Sequence, residues 1–180
     1  SAASKAGYSQ GDIGIGGALT VHVATAKTRA AILDGATVYL TDGGDVSVKS
    51  SSNERFTTSA DAVSSDNASK IGVGAGIAIA VIGVDVVAGV DDGADIISVT
   101  GYTGGVPTQG GKLGSLKITA DHASSEAMLA KAGSAGGISI TPVLSLDISG
   151  VYTSAYLGSG RAIKLGGDMA ISASNSVTRE

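Results

Sequence analysis

The stretch IGVGAGIAIAVIGVDVVAGV, residues 71–90, decides how this chain folds. A membrane-spanning helix needs about 18–20 uninterrupted apolar residues, and the uncharged run here ends at Asp85 after starting behind Lys70. It also carries Gly72, Gly74, Gly76 and Gly83, so no membrane span is expected. A dinucleotide-binding loop needs G-x-G-x-x-G, each glycine having its own task against the pyrophosphate. Gly72, Gly74 and Gly76 give G-x-G-x-G, and Ile77 takes the last required position.

What remains is alternation. Ile71, Val73, Ala75, Ile77, Ile79 and Val81 share one parity, as in a strand whose successive side chains point to opposite faces. From Ile82 the apolar positions continue on the other parity through Val84, Val86, Ala88 and Val90, which predicts a bulge or corner near residues 81–82.

The stretch has two siblings, IGIGGALTVHVATAKTRAAI at 13–32 and ISITPVLSLDISGVYTSAYL at 138–157, which align with it without a gap. Each continues through a glycine-punctuated segment into another alternating strand. There Val46, Val48 and Ser50 match Leu116, Ile118 and Ala120, then Met169, Ile171 and Ala173, as inward residues. The copies span about 13–70, 71–137 and 138–180, so residues 1–180 read as one continuous array. They start about 58 and then about 67 residues apart, the excess being the insert GYTGGVPTQGGKLG at 101–114, expected as an exposed flexible loop. Residues 1–12 resemble 129–138 and read as the tail of a preceding repeat, so the chain is expected to be cut from a longer array. The missing initiator Met and signal peptide say nothing about the parent's targeting.

Composition agrees with an all-β chain. Hydrophobic residues make up 43%, mostly Ala, Val, Ile and Leu, with 3% aromatics, and 28 Gly against 2 Pro suit tight turns between extended segments. With no Cys, disulfide scaffolds and thiolate metal sites are excluded. A net charge of -4 gives no basic footprint for nucleic acid.

Two architectures satisfy the pattern. The expected one is a repetitive β-solenoid, parallel β-helix-like, with three imperfect repeats stacked on a shared core. The alternative takes Asp34-Gly35 and Asp42-Gly43-Gly44 as hairpin turns of antiparallel β-sandwich-like modules.

The pattern IGIGGALTVHVATAKTRAAILDGATV (13–38) followed by GGDVSVKSSS (43–52), echoed as GGDMAISASN (166–175), resembles the repeats of giant bacterial surface adhesins. The likeness is to leukotoxin-type and hemagglutinin-like filamentous adhesins. It implies an exported, extracellular stalk or fibre on the bacterial cell surface, without enzymatic activity. It also implies neighbouring repeats of the same chain as partners, and a host or neighbouring cell's surface glycan or protein as the adhesive target. The family pattern supplies no catalytic residue. Pro142 and the long insert depart from an ideal array.

Candidate chemistry is sparse. His22 and His122 have Ala80 and Asp147, and Ser52 and Asn175, as repeat equivalents, and read as exposed polar residues rather than members of a Ser-His-Asp site. VPTQGGKL (106–113) brushes against the phosphate-cradling loop, but Val106 stands for the first Gly and Leu113 for the hydroxyl residue. Asp91, Asp92 and Asp95 are calcium candidates if neighbouring repeats supply more oxygens, the simpler reading being solvated turns. No other cofactor is implied. Tyr152 and Tyr156 offer an aromatic contact surface, and Lys27, Asp85 and Tyr152 are repeat equivalents. Asn67-Ala68-Ser69 matches a glycosylation sequon by chance. The rival to a structural role is a carbohydrate-binding or carbohydrate-active domain, centred on the insert beside Asp91, Asp92 and Asp95.

Overall fold

The structure, a computed structural model, describes residues 1–7, 12–64, 70–134, 137–160 and 162–180; the Asn67 sequon lies outside them. The described residues are strands and turns, with no helix. In chain order the strands are β1 (Ala2–Ala6), β2 (Ile13–Ile32), β3 (Thr37–Thr41), β4 (Val46–Ser64), β5 (Ile71–Val90) and β6 (Asp95–Thr103). There follow β7 (Val106–Gln109), β8 (Leu116–Ser134), β9 (Ile138–Ile140), β10 (Val143–Leu157) and β11 (Met169–Arg179).

Every pairing between copies is parallel. The first sheet runs β10-β5-β2 with β9 beside β5, the second β1-β4-β8-β11, and the third β3-β6-β7. The register is the self-alignment of the sequence: Ile13 pairs with Ile71 and Ile71 with Ile138, without slippage along the strands. Thr141 and Pro142 interrupt the third copy between β9 and β10, although the Pro142 carbonyl still accepts from the Gly76 amide at 3.1 Å. β1 lies along β4 as Ala2 to Thr58, the position β4 takes along β8 as Thr58 to Met128.

The turn residues do not make hairpins. Asp34-Gly35 joins β2 to β3, which belong to different sheets, and Asp42-Gly43-Gly44 likewise joins β3 to β4. Antiparallel pairing occurs between β6 and β7, through Gly104 and Gly105 at φ of 58° and 83°. The insert is therefore an ordered hairpin on the third sheet, not a flexible loop, and its VPTQ segment is strand β7.

The first and second sheets face each other across the core. At one end large side chains fill it: Ile82, Val84 and Val86 of β5 meet Val46, Val48, Leu116 and Ile118. At the other end the sheets close to near backbone contact, with Ala18 and Ala78 facing Ala60 and Ala62. A Cβ on Gly74 would stand 2.8 Å from the carbonyl oxygen of Gly133, and one on Gly76 3.0 Å from the carbonyl carbon of Lys131. Only glycine fits under those carbonyls.

This close approach overturns the expected bulge. Alternation in β5 runs without a break through residues 81–82, and Gly72, Gly74, Gly76, Ala78 and Ala80 point inward ahead of Ile82. The larger partners point out. Five aliphatic columns result on the outer face, Ile13–Ile71–Ile138, Ile15–Val73–Ile140, Leu19–Ile77–Leu144, Val21–Ile79–Leu146 and Val23–Val81–Ile148. Leu19 remains 60% exposed and Val23 69%. In the second sheet the expected inward columns hold, with Val46, Val48, Ser50, Leu116, Ile118 and Ala120 buried; Met169 and Ile171 keep register but are exposed on β11.

Candidate functional site

The acidic turns of one copy bind the backbone of the next. Asp42 accepts the Lys112 amide at 2.7 Å, Asp45 the Ser115 amide at 2.6 Å, and Asp92 the Ser159 amide at 2.6 Å. Each carboxylate lies over a glycine that leaves it room: Asp42 over Gly111, Asp45 over Gly114, Asp92 over Gly158. The calcium candidates therefore meet different partners. Asp92 is engaged by Ser159, Asp91 forms an ion pair with Arg29, and Asp95 opens β6 beside Thr37. Among the described residues no three His, Cys, Asp or Glu side chains converge to hold a metal ion. Asp92→Ala removes a charge-assisted hydrogen bond between copies. A loss of about 1–2 kcal/mol of stability is expected by urea unfolding.

Tyr152 and Tyr156 share the outer face of β10 but not a surface. Tyr152 is 61% exposed, in register with Asp85 and Lys27, and Asp85 Oδ1 lacks a hydrogen-bond partner among the described residues. Tyr156 instead lies over Gly89, and its hydroxyl donates to Asp91. Arg29 donates to both Asp91 oxygens, at 2.7 and 2.9 Å, and to the Tyr156 hydroxyl at 3.0 Å. With Asp34, Asp92 and Gly158 these groups line an open hollow at the strand ends.

Electrostatics follow from that geometry. The Tyr156 hydroxyl first, then Arg29, hold the Asp91 carboxyl below its ordinary range. Asp91 in turn raises the Tyr156 phenol. A carboxyl depressed in the folded state contributes stability above its unfolded pKa and loses it as pH falls through the folded one. Tyr156→Phe should move the Asp91 carboxyl back up toward the ordinary value, read by carbon-13 NMR titration.

Three polar groups inside the fold depart from the sequence reading. His122 is buried rather than exposed, with Nδ1 2.8 Å from Asn175 Oδ1 and Nε2 3.1 Å from Glu54 Oε2. His22 also turns inward, its Nδ1 3.0 Å from Thr58 Oγ1, with Phe56 edge-on at 6.2 Å. Glu126 is buried, accepts from Ser149 at 2.8 Å, and shares Arg179 with Asp147, at 2.9 and 3.2 Å. Burial, then Glu126, raises the Asp147 carboxyl, whereas hydrogen bonds from Ser149 and Asp147 and the charge of Arg179 outweigh burial to lower Glu126. Asp147 is the repeat equivalent of His22, so mixed polar residues at one inward position were the available signal.

No family model, curated protein or solved structure matches this chain.

Proposed function

We propose that the chain is a β-solenoid, parallel β-helix-like with one turn per copy, serving as a structural stalk or fibre segment of a large exported bacterial surface adhesin. The observation that carries this reading is the in-register parallel stacking of the three copies, Ile13 on Ile71 on Ile138. The Asp92 and Asp45 contacts between successive turns support it. In this reading the segment gives reach and rigidity on the cell surface, with neighbouring repeats as its partners, and carries out no catalysis.

Small-angle scattering on chains of one to six copies tests the architecture. Growth of about 5 Å in maximum dimension per copy is expected of one stacked turn. Growth of about 25 Å, the diameter of a compact globule of that size, would mean separate modules.

The carbohydrate-active reading draws on one observation, the Glu126 and Asp147 carboxylates sharing Arg179. Paired carboxylates are the machinery of glycosidic cleavage. Cleavage of a surface polysaccharide that is lost in Glu126→Gln would establish this reading, and silence across a broad panel removes it.

A further inference from the structure

We propose that the apolar half of the first sheet's outer face is a self-association surface, occupied by a second copy of this chain lying alongside in the same direction. No side chain in the columns from Ile13 to Val23, or in their partners on β5, β9 and β10, is polar. Ile15 is 66% exposed and Ile138 59%. The second sheet's outer face is the opposite in chemistry, with Ser51, Arg55, Lys117 and Ser172 exposed. Self-association is thereby confined to one side of the molecule.

The area reaches what a specific contact needs. The ten residue steps from Ile13 to Val23, which include the small Gly17–Ala75 column among six, span ~34 Å and three strands ~14 Å, so the patch covers ~500 Å² on each copy. The pair buries ~1,000 Å², the lower bound for a specific interface. A patch of this size matches the largest on a typical monomer, which is often an interaction site.

The relief of the face selects a second copy as occupant. Between the Ile15 and Leu19 columns runs a trough at Gly17 and Ala75, where a Cβ on Gly17 would have its nearest neighbour 4.0 Å away. A two-fold axis parallel to the stacking direction, over the midpoint of the six columns, sets each trough against the Leu19 ridge of the other copy. It also sets Ile15 against Val21 and Ile13 against Val23, so every column finds a partner. Two sheets meeting in this way interdigitate about 10 Å apart, as in a sandwich core, and the contact is isologous. Lys27 and Arg29 fall beyond the overlap and stay in water. The inference stands apart from the stalk reading, which a monomeric chain would leave untouched.

Sedimentation equilibrium of the 180-residue chain from low micromolar to millimolar concentration tests it. A reversible dimer is expected. Leu19→Lys and Leu144→Lys should each weaken it at least about tenfold by burying an unpaired charge, whereas Ser172→Lys on the opposite face should not. Gly17→Val decides the relief: filling the trough should also weaken the dimer about tenfold, with circular dichroism unchanged. Tighter or unaltered association of Gly17→Val would overturn the proposal, since undirected apolar adhesion grows with added apolar surface. A chain monomeric throughout would overturn it too, as would an open-ended ladder of oligomers insensitive to Leu144→Lys. Flotation with phosphatidylcholine vesicles in the absence of any dimer would replace it with a lipid surface.

Discussion

A chain carrying Gly76→Val is expected to be severely destabilised. Gly76 lies on the inward face of β5, under the backbone of Lys131, and the atoms a side chain would strike are main-chain atoms of a strand paired along its whole length. Ordinary overpacking costs about 1–3 kcal/mol because side chains give way. Here the sheets themselves must part, and with them Ala60, Ala62 and Ala78, all fully buried. A loss of at least about 4 kcal/mol is expected, against the 5–15 kcal/mol that holds most domains together. Far-UV circular dichroism and urea unfolding measure it. Gly17→Val on β2 is the control, since that position faces outward and open; its folding should be unimpaired.

Ile82→Lys and Val81→Lys should differ nearly as much, although the residues are adjacent. Ile82 is 3% exposed and packs in the core with Val46, Leu116 and Ile118. A lysine there buries an unpaired ammonium and gives up an aliphatic side chain, a loss of several kcal/mol. Val81 points outward, and its replacement should stay within about 1 kcal/mol. Had the strand bulged at 81–82, both residues would point inward and both variants would fail. Denaturant midpoints of the two variants therefore report the phase of the strand directly.

The candidate site was legible in its parts and not in its assembly. Asp91 and Tyr156 both stood out in the sequence, one as an acid in a turn and the other as a rare aromatic. Their union with Arg29 depends on the ends of three neighbouring strands meeting, and on Gly89 leaving space for the ring. A tyrosine aligned with a glycine of the neighbouring copy was the trace available beforehand. The acidic turns were equally visible, but a carboxylate beside glycine reads as solvated until the next copy is placed over it. His122 reads as exposed for a similar reason, since Glu54 and Asn175 come from the copies on either side.

The sequence by itself determined the repeated strands and their register. When similar copies pair in parallel, the alignment of the sequence with itself is the pairing table, and Ile13, Ile71 and Ile138 fall together in both. The phase of the strands was another matter. Through residues 71–81 both parities are apolar, one of glycine and alanine, the other of isoleucine and valine with Ala75, so alternation alone admits two answers. Size favours burying the larger set, and the tertiary structure buries the smaller. The reason lies on the facing strands: Ala60, Ala62, Ala130 and Ala132 let the two backbones approach until a single Cβ beneath Lys131 is too many. The larger side chains have no space between the sheets and stand on the outside.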